Sequence, residues 1–448
     1  MFVEMTLLWV YTVPCGLDRF GLSFPQDKVG RIFSSILGGG IVMGIFKFRA
    51  CLCAGLTAAM LSVSVAEAAP QAIGGFFKQI RQQSFMDKDE QGEHEVLYQR
   101  FAGLAVDKEL RERFPKLSAA IEQRTSADWA RMQKDSVGMK AEAVQFRRES
   151  PNYYHPFAQD MDVIMRRADD AVVSYLEMEY ENGAGAHGMY GWQGVNFNTM
   201  TGEEIALSAV VKDMGRFTDI LIAQLKKEHP DASFFDMETQ VRKYALQGKL
   251  NWTLDPRGVT VYFNPYAIAA YAEGLLQTTV LFQEQPQLFN EAYLETAEVY
   301  AQPFPHYYPL ITSLKDNGRR DVLSVNQGEG KVTVTLNGRK TDFAAALTNL
   351  QPVLVHMQNK DNFLYIDGQT QEGGRQTLVL KVEKGKVRHV GTLPYTFMHT
   401  IAVSPAEQQY WRFMTNPDGF YIDKAAKPGS SSKTDICAVG SEGQLTFG

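Results

Sequence analysis

The chain has 448 residues, 45 Lys and Arg against 51 Asp and Glu, 45% hydrophobic residues and a formal net charge of -6. It is too apolar and too weakly charged to be disordered, and its acidic balance leaves no electrostatic footprint for nucleic acid. With 37 Gly and 18 Pro it is neither collagen-like nor low-complexity, and its length suits two or three domains.

Lys47 and Arg49 precede an apolar run from Ala50 to Val65, followed by Ala66-Glu67-Ala68. A basic start, an apolar stretch and an A-x-A processing pattern describe a secretory signal peptide, with cleavage expected after Ala68. The run is 16 residues, short of the roughly 20 that span a bilayer as a helix, so an uncleaved membrane anchor is the weaker expectation. Gly38-Gly39-Gly40-Ile41-Val42 stands directly before Met43. Glycine codons begin with GG, so a ribosome-binding site read in frame gives this run; residues 1–42 are expected to be a spurious upstream extension and 43–68 the signal peptide. Cys15, Cys51 and Cys53 leave with the leader, and Cys437 alone gives no disulfide framework.

From Val106 to Ser150 the pattern is helical, with Leu117, Ile121, Trp129 and Met132 on one face and Pro115 placed to open a helix; a helix pair or a broken long helix is expected. Met161 to Ile164 and Ala171 to Tyr180 read as strands meeting a Gly-rich loop, Gly183 to Trp192, and Val195 to Phe197 as a strand running into the turn at Asn198 to Gly202. Phe217, Ile220, Leu221 and Leu225 predict a helix over 216–228 that Pro230 closes, and a second helix is expected over 234–247. Trp252 to Leu254 and Val259 to Phe263 form a predicted hairpin around Asp255-Pro256-Arg257-Gly258, and Leu276 to Phe282 a further strand. After residue 300 the strands are short: Val332 to Leu336 ending at Asn337-Gly338, Phe363 to Ile366, Leu378 to Val382, and Val387 to Val390 after Lys384-Gly385. The expected architecture is an α+β domain over 69–300, an antiparallel sheet with segregated helices, and a β-rich meander or blade-like domain over 301–448, with a flexible loop at 427–432.

The residues that could carry function are few. His187 sits in the Gly-rich loop with Tyr190 and Trp192, as a base, a metal ligand or a locally bonded turn residue. No HExxH, CxxC or G-x-S-x-G pattern is present, so no catalytic residue, metal or cofactor is assigned. Asp316 to Asp321 superficially resembles a calcium loop, but Arg319 and Arg320 stand where oxygen ligands belong, and a plain turn is expected. Asn264, Pro265 and Tyr266, with Tyr271 nearby, concentrate aromatic side chains on a rigid corner, which suits recognition as well as core packing. Lys381, Lys384, Lys386 and Arg388 read as a solvated hairpin edge.

Three segments together, Ala168 to Tyr180, the Gly-Ala-His-Gly loop with Asn196-Phe197-Asn198 and Thr201-Gly202, and Val259 to Tyr271, resemble the extracytoplasmic domain of RsiV-type lysozyme-sensing anti-sigma factors, also an accessory domain of the PdaC-type peptidoglycan deacetylases. The resemblance covers roughly residues 85–285 and implies an α+β recognition domain facing the cell envelope, with lysozyme or peptidoglycan fragments as partners. The zinc motif of the deacetylases is missing. The expected function is an exported, extracytoplasmic, non-catalytic recognition protein of the bacterial envelope, periplasmic or secreted. An enzyme acting on wall glycan or peptide and a membrane-anchored sensor are the alternatives.

Overall fold

The computed structural model describes residues 69–89, 92–315, 319–393, 400–404, 408–415, 420–423, 434–439 and 445–447. The expected leader and upstream extension, the expected loop at 427–432 and positions 316–318 of the calcium-like segment lie outside these residues.

Two long strands, β1 (Phe76–Asp89) and β2 (Gly92–Val106), pair as an antiparallel hairpin with a bulge between Phe85 and Met86. The chain then crosses over through α1 (Lys108–Arg113) and α2 (Pro115–Glu149) to β3 (Phe157–Ala168), which runs parallel to β2, as a crossover of this length permits. Asp107 caps α1 by accepting from the Leu110 N–H at 2.8 Å. Pro115 starts α2, where its missing N–H leaves no bond unmade, so the expected helix pair is one short helix and one unbroken helix of 35 residues. Its buried residues, among them Leu117, Ile121, Thr125, Met132, Ser136 and Ala143, form one stripe laid along the sheet. β4 (Val172–Asn182) and β5 (Met189–Asn198) follow as an antiparallel hairpin. The connection between them is only 183–188; Tyr190 and Trp192, expected on the loop, are strand residues paired with Tyr180 and Met178.

The expected helices over 216–228 and 234–247 are α3 (Met214–Glu228) and α4 (Met237–Leu246). Their apolar faces cover a small antiparallel sheet of β6 (Asn251–Asp255), β7 (Gly258–Phe263) and β8 (Leu276–Leu281), enclosing Phe217, Leu221, Leu225, Val241, Leu254 and Val261. This sheet sits against the free side of β5. Gly194 makes the approach possible: a Cβ there would lie 1.9 Å from the Trp252 carbonyl oxygen.

Beyond residue 300, β9 (Tyr300–Pro303) pairs with β14 (Thr348–His356), followed in the same sheet by β15 (Asn362–Gln369), β16 (Arg375–Glu383) and β17 (Lys386–Leu393). A second sheet holds β10 (Leu310–Thr312), β11 (Asp321–Gly328), β12 (Lys331–Leu336) and β13 (Arg339–Phe343). The turns at Asn337-Gly338 and Lys384-Gly385 have positive φ at both central residues, as tight hairpins require. One face of the five-stranded sheet packs on the four-stranded one through Leu354, Leu364, Ile366, Leu323, Val325 and Val334. The other face packs on the first sheet, with Val353, Val355, Phe363 and Tyr365 against Ile80 and Ala102. The β-rich part is thus a pair of stacked sheets, and its central strands are buried on both sides. At the described end of the segment resembling a calcium loop, Arg320 bonds Glu228 and Glu284, and Asp321 accepts from Asn337 and from the Leu314 N–H. Two late strands, β18 (Thr400–Ser404) and β19 (Gln408–Arg412), return across residue 300 to the first sheet, where β19 pairs with β1 and completes seven strands. Cys437 lies in β21 (Thr434–Val439), between β20 (Phe420–Asp423) and β22 (Leu445–Phe447).

A buried ion pair joins the parts. Arg166 on β3 grips Asp255 at the end of β6 through two nitrogens, Nε at 3.0 Å, and donates to the Pro303 carbonyl at 3.4 Å. Both side chains are at most 5% exposed. Arg166→Met would leave the Asp255 carboxylate buried without its cation, and the expected loss of about 3–5 kcal/mol would be read from urea unfolding against a surface control such as Lys340→Met.

Candidate functional site

The face of the first sheet opposite α2 is not fully covered. Between it and the five-stranded sheet lies a cavity of about 850 Å³, walled by β1 to β5 on one side and by the 303–308 segment, the start of β14 and Arg375 of β16 on the other. Strand alternation explains the lining: on β3, Val163 and Met165 pack toward α2, while Asp160, Asp162 and Ile164 face the cavity.

The floor holds four charges that neutralise one another. Lys78 reaches Asp162 at 2.7 Å, and Arg100 reaches Asp160 at 2.9 Å and Asp162 at 3.3 Å. Burial pushes Asp160 above the ordinary carboxylate value, and Arg100 only partly offsets this. Burial acts on Asp162 in the same direction, but Lys78 and Arg100 outweigh it and hold that carboxyl below the usual value. On the opposite wall, burial lowers the pKa of His306, against a hydrogen bond at the Leu350 backbone.

The rest of the lining mixes aliphatic and polar side chains, with Glu179 and Arg375 as further charges, and a cluster of aromatic rings. Trp192 meets Tyr308 edge-on at 4.5 Å and Tyr262 at 5.7 Å. Burial, and then the neighbouring Tyr190 to which it hydrogen-bonds, raises the pKa of the Tyr308 phenol. From Tyr190 the rings continue to the surface: Tyr190 to Tyr271 at 5.9 Å, Tyr271 to Tyr266 at 5.8 Å, with His187 stacked on Tyr271 at 3.6 Å. The Tyr271 hydroxyl donates to the Gly188 carbonyl at 2.5 Å, which fastens this corner to the β4–β5 connection. Tyr266 is 53% exposed, and Tyr307, at the cavity, 71%.

Of the seven residues singled out in the sequence, His187, Tyr190, Trp192, Tyr266 and Tyr271 therefore come together on one aromatic surface. The other two position it. Both polar atoms of the Asn264 side chain are engaged by the backbone of Trp192, Oδ1 accepting from its N–H at 2.8 Å and Nδ2 donating to its carbonyl at 3.1 Å. Asn251 adds a bond to the Gly194 N–H at 2.7 Å, so the outer edge of β5 is closed by side-chain amides. Pro265 is buried and opens a turn in which the Ala267 N–H bonds the Asn264 carbonyl at 3.0 Å. His187 contacts the adjacent Gly188 carbonyl through its Nδ1 and stacks on the Tyr271 ring. Among the described residues no three His, Cys, Asp or Glu are grouped to hold a metal, and no helix is long and apolar enough to cross a membrane.

Sequence reading passed over Lys78, Arg100, Asp160 and Asp162, because nothing local pairs residues 60 positions apart. It also passed over Tyr307 and Tyr308, for which a signal existed: Pro303-Phe304-Pro305-His306-Tyr307-Tyr308-Pro309 is a second aromatic segment stiffened by prolines.

Comparison with known proteins places a DUF3298 domain, a domain of unknown function, at residues 208–283, which hold α3, α4 and β6–β8. This is narrower than the stretch that resembles the RsiV-type domain. The chain is similar in structure to a DUF3298-family protein of Bacteroides fragilis NCTC 9343, with 16% identity, a TM-score of 0.33, and coverage of 50% of this chain and 96% of that one. It is likewise similar to one of Pseudomonas aeruginosa PAO1, with 14% identity, a TM-score of 0.31, and coverage of 52% and 99%. No curated protein matches the sequence.

The charged floor has a signature in acid. Asp162, with its folded-state pKa depressed, contributes stability that is fully present above the ordinary value of 3.8 and is lost as pH falls through the folded value. The stability difference between the wild type and Asp162→Asn is thus expected to be largest above that pH and to shrink below it. Asp160, raised rather than lowered, works the other way, so the Asp160→Asn difference should move in the stabilising direction as pH rises through its folded value. Chemical unfolding at stepped pH measures both.

Proposed function

We propose that this is an exported protein of the bacterial envelope that recognises a wall component without turning it over. The leader pattern at 47–68 supports export. The observation that carries recognition is the cavity itself: aromatic rings converge on it from two segments, and the carboxylates at its floor are each held by Lys78 or Arg100. A carboxylate locked to a guanidinium is a poor proton donor and a poor nucleophile, whereas a rigid aromatic wall favours binding at low entropic cost. Lysozyme, the partner that the RsiV-type resemblance implies, is the protein counterpart of this reading.

One observation favours an enzyme acting on wall material. Asp160 and Asp162 lie two apart on one strand face and their pKa values are pushed in opposite directions, the arrangement that separates a general acid from its partner. The same titration separates the two readings. Purified protein is titrated calorimetrically with soluble wall fragments and, separately, with lysozyme, and the fragments are then weighed by mass spectrometry. Saturable heat with unchanged fragments is the expected result; fragments cut in the presence of wild type and intact with Asp160→Asn would establish the enzyme instead. Cell fractionation tests the export claim: the expected product is soluble and begins near Ala69, while an unprocessed chain in the membrane pellet would favour an anchored sensor.

A further inference from the structure

We infer that the cavity and the aromatic surface leading from it form one continuous site for a linear, uncharged, hydroxyl-rich chain, that is, a neutral oligosaccharide several units long. The inference rests on the recognition reading above and specifies its ligand. Charge decides the class. The four ionic groups on the floor satisfy one another, Glu179 on the same wall pairs with Arg131, and Arg375 across the cavity interacts with Asp367, so an acidic or basic ligand would have to draw a partner away from a charge interaction already made. A hydroxyl donates and accepts at once, and an ionised carboxylate bonded to a guanidinium keeps lone pairs to spare. Sugar hydroxyls can therefore add to Asp160 and Arg100 without parting them.

Geometry decides the length. Tyr266, Tyr271 and Tyr190 follow one another at 5.8 and 5.9 Å, and Tyr190 hands on to Tyr308 and Trp192 inside the cavity. A single ring covers one of these steps; a chain of sugars, whose apolar C–H faces lie on aromatic rings, covers them all. The outermost ring is also held at a cost. Tyr266 follows Pro265 in a turn with φ of 67°, the position where such turns favour glycine, yet its side chain is exposed and builds no core. An exposed aromatic kept in a strained backbone is accounted for if the ring meets a ligand.

The test is calorimetric titration of the purified protein with N-acetylglucosamine and its β-linked oligomers of increasing length, next to an oligomer of an acidic sugar and a proline-rich peptide. Affinity should rise with length, with the neutral oligomers ahead of the other two probes. Tyr266→Gly relieves the left-handed strain, so its melting temperature should equal or exceed the wild type. It should weaken the longest oligomer roughly two- to tenfold, the range of one aromatic contact, and leave the shortest oligomer that binds unchanged. Affinity independent of length, an equal loss for short and long oligomers in Tyr266→Gly, or preference for the acidic oligomer or the peptide would overturn the inference. If crude wall fragments bind while no neutral oligosaccharide does, recognition stands and the ligand class falls; if neither binds, both fall.

Discussion

A charge taken out of water must be met inside the protein, and in this fold that requirement is concentrated at Asp255. Its carboxylate takes two bonds from Arg166 and one each from Thr253 and Thr260, and Thr260 passes the network to Thr279. These groups come from β3, β6, β7 and β8, and Arg166 also touches the carbonyl at the end of β9. Three sheets are thereby fixed at one point that tolerates little displacement, since the attraction repays desolvation only when the geometry is kept. A bulge between Met165 and Arg167 makes room for it. The next residue, Arg167, is also buried, and turns to Asp169 and to the carbonyls of Tyr293 and Glu295. Asp169 in turn receives the N–H groups of Ala171 and Val172, which sets the turn into β4. The cavity opens beside this knot, between walls that the knot holds at a fixed separation.

What could be read from the sequence follows the range of the forces involved. α2, α3 and α4 were legible because a helix buries one stripe, and the hairpins at Asn337-Gly338 and Lys384-Gly385 because their turns need particular residues. β1 and β2 were not. Their inward face carries Gln83 and Gln99 where apolar residues would be expected, and these amides bond in a line with Gln133 of α2, Gln159 of β3 and Glu181 of β4. A polar row satisfied across four strands looks, one strand at a time, like a solvated segment. β15 and β16 were legible as strands but not as part of a layer covered on both faces, and β14 between them and β9 was not read at all.

The site divides along the same line. The aromatic corner around Tyr266 and Tyr271 was visible because it is local, and its junction with His187 and Tyr190 followed from two hairpins meeting edge to edge. Asn264, chosen as a contact residue, serves instead as a substitute strand for β5, a use of an amide that composition does not reveal. The neutral charged floor is a purely tertiary fact, assembled from β1, β2 and β3.

The return of β19 to β1 has a consequence for how the molecule comes into being. The Phe413 N–H bonds the Phe76 carbonyl, and the Thr415 hydroxyl bonds the Ile73 carbonyl, 342 positions away. The first sheet emitted by the ribosome therefore waits with an open edge until nearly the whole polypeptide has been made. Closure over so long a loop is slow, and an unpaired strand edge is a template for association with other chains. A nascent chain of this topology depends on being shielded during that interval, and any event that stops synthesis before residue 408 yields a product with a sticky rim rather than a smaller working protein.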